Sequence, residues 1–309
     1  MAAVMKRGCV PFLLKGLGLA AGLEVARHRH ESGGSLRGAK WTGEEELMAV
    51  STSLHSLPAG ARLEKLLPLA WVHVPKAGST IMNSFIKLPG VCPRLPAGKW
   101  LCYEQNPDCR AYIFNQTHPA RPTKIGLETV QDCPGIQRFA HHHGFSTQYQ
   151  KFSMKGHGVI MLRQPEQRLM SGWFNNGDHH GWVPWGRQPS GIPEYVHALQ
   201  GAVTKMLTRD TDQFDHKIPT PAEAELAVER LREGFAFIGI VEEHALSMCM
   251  VHKMFGGKCH HNEFSTRHHG LHRPGDAAYD ISPLQGFRDP FDNAVYAEGL
   301  RIFEENKRV

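Results

Sequence analysis

Three short apolar runs stand out along the chain, at residues 69–74, 159–162 and 235–241. None shows the 3.6-residue period of an amphipathic helix, so each reads as a strand buried on both faces. Helical patterns occupy the intervals. Pro165 at a first helical position opens a segment that turns Leu169, Met170 and Trp173 inward. Residues 192–207 read as one helix. Residues 221–233 read as another, with a Thr220–Glu223 capping box, Pro221 in the first turn and Gly234 as the stop. Helices at about 243–254 and 293–307, a short helix at 61–67 and a strand at 137–141 complete the pattern. Short apolar strands alternating with helices call for a parallel sheet covered on both faces.

The remaining stretches lack periodicity. Residues 27–60 are polar, with Gly and Ser clusters, and read as a stem. Residues 89–136 are rich in Pro and Cys, a loop-rich insertion. The Gly- and Trp-rich residues 175–193 suit a lid or substrate wall, and residues 256–290 are His-, Gly- and Pro-rich. At the start, Lys6 and Arg7 precede a mostly apolar run at 10–23, the pattern of a signal peptide or short signal anchor. That run falls short of the roughly 20 residues of a full span and contains Lys15. The run Gly16-Leu17-Gly18-Leu19-Ala20-Ala21 matches a dinucleotide fingerprint, but no strand–helix–strand surrounds it.

Composition narrows the function classes. The 309 residues are 41% hydrophobic and 21% charged, as in an ordinary globular protein, and the net charge of +5 is too small to argue for nucleic acid. The seven cysteines form no CxxC pair. Apart from Cys9, four lie between 92 and 133, and Cys249 and Cys259 lie near each other. Such grouping suits disulfides in an oxidising compartment, and equally suits buried thiols. The sequon Asn115-Gln116-Thr117 favours the first.

The chemistry gathers at residues 75–80. After the first strand comes the turn Pro75-Lys76-Ala77-Gly78, and Ser79 and Thr80 then open a helix with Ile81, Met82, Phe85 and Ile86 as its apolar positions. A strand, a small-residue loop and a helix N-terminus make an anion cradle, to which Lys76 adds a full charge. It is not the GxxxxGK[ST] loop of nucleotide triphosphatases, because Lys76 precedes Gly78. The 159–162 strand ends in Arg163 rather than a metal-binding Asp, which points to direct charge pairing with a phosphorylated cofactor.

Residues 71–80 resemble the 5′-phosphosulfate loop of the Golgi carbohydrate sulfotransferases that use 3′-phosphoadenylyl sulfate (PAPS), and residues 159–173 resemble their 3′-phosphate motif. Residues 237–243 and the Asp292, Tyr296, Phe303 helix are similar to further parts of that family. The resemblance covers residue 68 to the end, and is nearest locally to the uronyl/heparan 2-O- and galactose-3-O-sulfotransferase-like branches. It implies an α/β fold: a P-loop-NTPase-like parallel sheet with helices on both faces, plus the Cys-rich loop insertion. It also implies a sulfotransferase domain at 68–309 behind a targeting segment and stem at 1–67.

By the same resemblance, Lys76, Ala77, Gly78, Ser79 and Thr80 hold the 5′-phosphosulfate, and Arg163 and Ser171 the 3′-phosphate. His141 and His143 match a His-x-His pair, with His143 as base, His141 as helper and His142 as the register alternative. Gln164 stands where the family usually has Asp. The expected partners are PAPS and a glycan acceptor, without metal or nucleic acid. The expected setting is the Golgi lumen, with the N-terminal segment associated with the membrane. Two other classes remain in view, a phosphotransferase of the kinase type and a non-catalytic carbohydrate- or metal-binding protein. The last is suggested by Asp178-His179-His180, Cys259-His260-His261 and His268-His269, whose spacing fits no standard zinc pattern.

Overall fold

Each of the three apolar runs becomes a strand, and a fourth strand joins them. A computed structural model of the chain describes residues 58–78, 81–93, 134–138, 155–174, 189–209, 215, 217–259, 263 and 278–308, all within the unit Thr52–Val309. The strands are β1 (Leu69–Val72), β2 (Ile136–Arg138), β3 (Gly158–Leu162) and β4 (Phe235–Ile240). They pair in parallel in the order β2-β1-β3-β4, with Trp71 opposite both Arg138 and Val159, and Ile160 opposite Ile238. Every residue of β1 and β3 is buried, the reason these segments lack an alternating pattern.

Helices cover both faces of this α/β sheet. On one face Phe237 packs edge-on against Phe85 of α2 (Met82–Phe85) and tilted against Phe255 of α7 (His244–Phe255). On the other, α8 (Asp292–Arg308) lies so close to the sheet that a Cβ on Gly299 would overlap Leu162 and meet Ile238 at 3.6 Å. The remaining helices are α1 (Ala59–Leu66), α3 (Pro165–Trp173), α4 (Ile192–Leu199), α5 (Ala202–Thr208) and α6 (Pro221–Gly234). The Thr220–Glu223 capping box on α6 is formed in both directions, at 3.2 and 2.8 Å.

Two helices differ from expectation. The single helix at 192–207 is broken at Gly201, which turns left-handed at φ 62°. Its N–H donates to Asp289 Oδ2 at 2.7 Å, and the next turn donates to Asp292 from Val203 N, Thr204 N and the Thr204 hydroxyl. Carboxylates from the other end of the chain thus cap α5 and satisfy N–H groups that a continuous helix would have bonded internally. The helix after the cradle is only the four residues of α2, followed by turns through Gly90.

Cys92 and Cys249 are each disulfide-bonded and Cys259 is a free thiol, so Cys249 and Cys259 do not pair with each other. Cys9, Cys102, Cys109 and Cys133 lie outside the described residues, as do residues 1–57 and most of the 89–136 insertion and the 175–193 loop. No helix among the described residues is long and apolar enough to cross a membrane.

Candidate functional site

Strand order places a crevice at one end of the sheet. The chain leaves β1 for β2 on one side, whereas β3 leads to β4 on the other. The connections after β1 and β3 therefore lead to opposite sides of this strand pair, the strand order at which α/β sheets bind ligands beyond the carboxyl ends. Lys76 follows β1 and Arg163 follows β3, so the two basic residues singled out in the sequence meet there.

The turn after β1 is tight. Ala77 N–H donates to Val74 O at 3.3 Å and Ile81 N–H to Gly78 O at 3.1 Å. Gly78 is left-handed at φ 69°, and a Cβ there would meet Val241 Cγ2 at 3.1 Å, so the loop lies down on the ends of β3 and β4. Lys76 is also left-handed, at φ 62°, a conformation that costs a side-chain-bearing residue about 1–2 kcal/mol. Its aliphatic stem reaches α3, where a Cβ on Gly172 would lie 3.8 Å from Lys76 Cγ and overlap the Tyr195 hydroxyl. Gly172 is therefore the point where the lysine stem and the tyrosine close on the helix.

Arg163 is held from several sides. Its Nη1 donates to Lys76 O at 3.3 Å, and its guanidinium lies 5.3 Å from the ring centre of Tyr279. Gln167 grips the Tyr279 backbone from both ends, donating to its carbonyl at 2.9 Å and accepting from its N–H at 2.6 Å. Glu242 lies beside the guanidinium and accepts from Gln164 N–H and the Tyr296 hydroxyl, both at 3.1 Å. Burial, then Glu242, pushes the Tyr296 phenol above its usual range. The Arg163 Nε is buried and has no hydrogen-bond partner among the described residues.

The electrostatics favour an anion. Burial, then the neighbouring Arg163 charge, lowers the Lys76 ammonium below the usual lysine range. Burial likewise acts against the Arg163 charge and outweighs the help of Glu242 and Tyr279. An arginine does not give up its proton under these conditions, so Arg163 stays charged, with Glu242 offsetting part of that charge. The short α2 adds little dipole, and the Ala77 N–H is used within its own turn. Two side-chain cations, rather than a helix N-terminus, make this cradle attractive to an anion.

The structure brings together Lys76, Ala77, Gly78 and Arg163. Ser171 is buried on α3 one residue before Gly172, and no described hydrogen bond joins it to Arg163. Ser79, Thr80, His141, His142 and His143 lie outside the described residues. Gln164 caps α3 by accepting from Gln167 N–H at 2.8 Å. Sequence reasoning missed Tyr195, Gln167, Tyr279 and Glu242. Gln167 carried a signal, since it lies in the first turn of the helix that Arg163 leads into, and so did Glu242, which lies in the 237–243 segment. No family model, curated protein or solved structure matches the chain.

Proposed function

We propose that the chain is a carbohydrate O-sulfotransferase, moving a sulfuryl group from PAPS to a hydroxyl of a glycan without metal. The supporting observation is the convergence of Lys76 and Arg163, both made less favourable as cations by burial, at the divergent ends of β1 and β3. A donor with a phosphosulfate at one end and a 3′-phosphate at the other supplies an anion to each.

In this reaction the acceptor oxygen forms a bond to sulfur while the bond from sulfur to the bridging phosphate oxygen breaks, and that oxygen keeps the electron pair. Lys76 neutralises the charge developing there. Arg163, with Ser171, holds the 3′-phosphate and so fixes the line of attack. His143, assisted by His141, takes the acceptor proton, as the match to the His-x-His pair suggests. The 5′-phosphosulfate is cradled by Ala77, Gly78, Ser79 and Thr80. The sulfotransferase domain is residues 68–309, on a P-loop-like sheet with the Cys-rich segment as an insertion. The disulfide state of Cys92 and Cys249 supports an oxidising secretory lumen, the Golgi, as the working compartment.

Binding of adenosine 3′,5′-bisphosphate in the presence of a chelator tests this. At about 100 times its dissociation constant the nucleotide stabilises the fold by about 2.7 kcal/mol, a rise in melting temperature of about 5–11 °C for a domain of this size. Stabilisation by ATP with magnesium, and none by the bisphosphate, would favour a phosphotransferase instead.

A further inference from the structure

A second cluster, built from residues the transfer reaction does not use, lies at the end of α7. His252 occupies the last turn of that helix. Beyond it Gly256 and Gly257 are both left-handed, at φ 81° and 80°, and fold the chain back. A side chain at 257 would crowd Pro89 at 3.2 Å, so the reversal depends on glycine. It returns Cys259, and then Glu263, to His252, with one ligand atom from each of the three within 4.8 Å of the others. The Glu263 side chain is fully buried, with Lys87 Nζ 3.4 Å from one oxygen and His252 Nε2 2.6 Å from the other.

We propose that His252, Cys259 and Glu263 bind a divalent cation of the zinc class, with water in the open fourth position. The donor set of one imidazole, one thiolate and one carboxylate is that of tetrahedral zinc. The hydrogen bond that would orient the imidazole is already in place. His252 Nδ1 lies 3.2 Å from the Gly256 carbonyl, and donation to that oxygen leaves the Nε2 lone pair facing the other two ligands. Cys259 is a free thiol in a chain whose other described cysteines are oxidised, as a ligand must be. On binding, the Cys259 thiol and the proton shared between His252 Nε2 and Glu263 are both given up to solvent, and the sulfur, Nε2 and a carboxylate oxygen bond the cation. The His252–Glu263 contact opens from 2.6 Å to about 3.3 Å, the ligand separation of a tetrahedral zinc centre. Lys87 offsets part of the charge of the two anionic ligands. The ion joins the last turn of α7 to the segment that folds back on it, with Lys87 from the turn after α2 beside Glu263, and takes no part in sulfuryl transfer, so the proposal stands or falls apart from the function above.

The test uses the full chain without a histidine tag. Cobalt titrated into the metal-free protein should give a thiolate-to-cobalt charge-transfer band and tetrahedral visible bands that saturate at one equivalent, and zinc should displace them. Cys259→Ser should lose the charge-transfer band and weaken zinc binding by about tenfold or more, with an unchanged circular dichroism spectrum. Absence of a thiolate band in the wild-type chain, which needs no variant to fold, overturns the proposal. So does a Cys259→Ser protein that keeps both the band and the affinity.

Discussion

Replacing Lys76 with glycine separates a residue kept for binding from one kept for folding. Its left-handed backbone is disfavoured for a lysine by about 1–2 kcal/mol, and glycine relieves this while losing about 0.5–1 kcal/mol to the freedom of its unfolded chain. The stem packed near Gly172 is also lost, but so is a cation that burial and Arg163 both disfavour. The net expectation is a gain of about 0.5–1 kcal/mol, or about 1–4 °C in melting temperature for a domain of this size. Binding moves the opposite way. A charge-assisted hydrogen bond to phosphate is worth about 1.5–3 kcal/mol, so affinity for adenosine 3′,5′-bisphosphate should fall about 10- to 150-fold. Differential scanning calorimetry and titration calorimetry on the same preparations measure both quantities. A Lys76→Gly protein that is less stable and binds the nucleotide as before would refute the placement of Lys76 in an anion site.

Other expectations follow from the same crevice. Glycine-to-alanine changes within helices ordinarily stabilise by about 1 kcal/mol, but Gly172→Ala should destabilise by about 1–3 kcal/mol because the new methyl overlaps the Tyr195 hydroxyl. Chemical denaturation gives the sign directly, and a stabilised variant contradicts the packing described. Nucleotide affinity should also depend on pH through Lys76. Its folded pKa lies below the ordinary lysine value, so in the free protein the charge is fully present at lower pH and is lost as pH rises through that lowered value. Titrations across the alkaline range should show affinity falling earlier than an ordinary lysine allows, with that fall absent in Lys76→Gly.

Much of the scaffold was legible because its causes are local. The strands announce themselves as apolar runs since the sheet is covered on both faces, and the α6 cap is written within four residues, Thr220 to Glu223. Lys76 and Arg163 were found because Arg163 directly follows β3 and Lys76 lies in the tight turn that ends the first apolar run. Features set by distant partners were not legible. Gly201 breaks a helix because Asp289 and Asp292, 88 or 89 residues away, take its N–H and those of the next turn. Tyr279 reaches Arg163 only because Gln167, 112 residues earlier, fixes its backbone. Cys259 looked like part of an adjacent His cluster with no zinc spacing. Its real neighbours, His252 and Glu263, become visible once the two left-handed glycines have turned the chain.

Transfer of labelled sulfate from PAPS to a panel of glycan acceptors, in chelator, bears most directly on the function proposed. Wild-type protein should label at least one acceptor. His143→Ala should abolish turnover while retaining nucleotide binding, and Arg163→Ala should lose both. No transfer to any acceptor, together with nucleotide binding that Lys76→Gly and Arg163→Ala leave unchanged, would contradict the account.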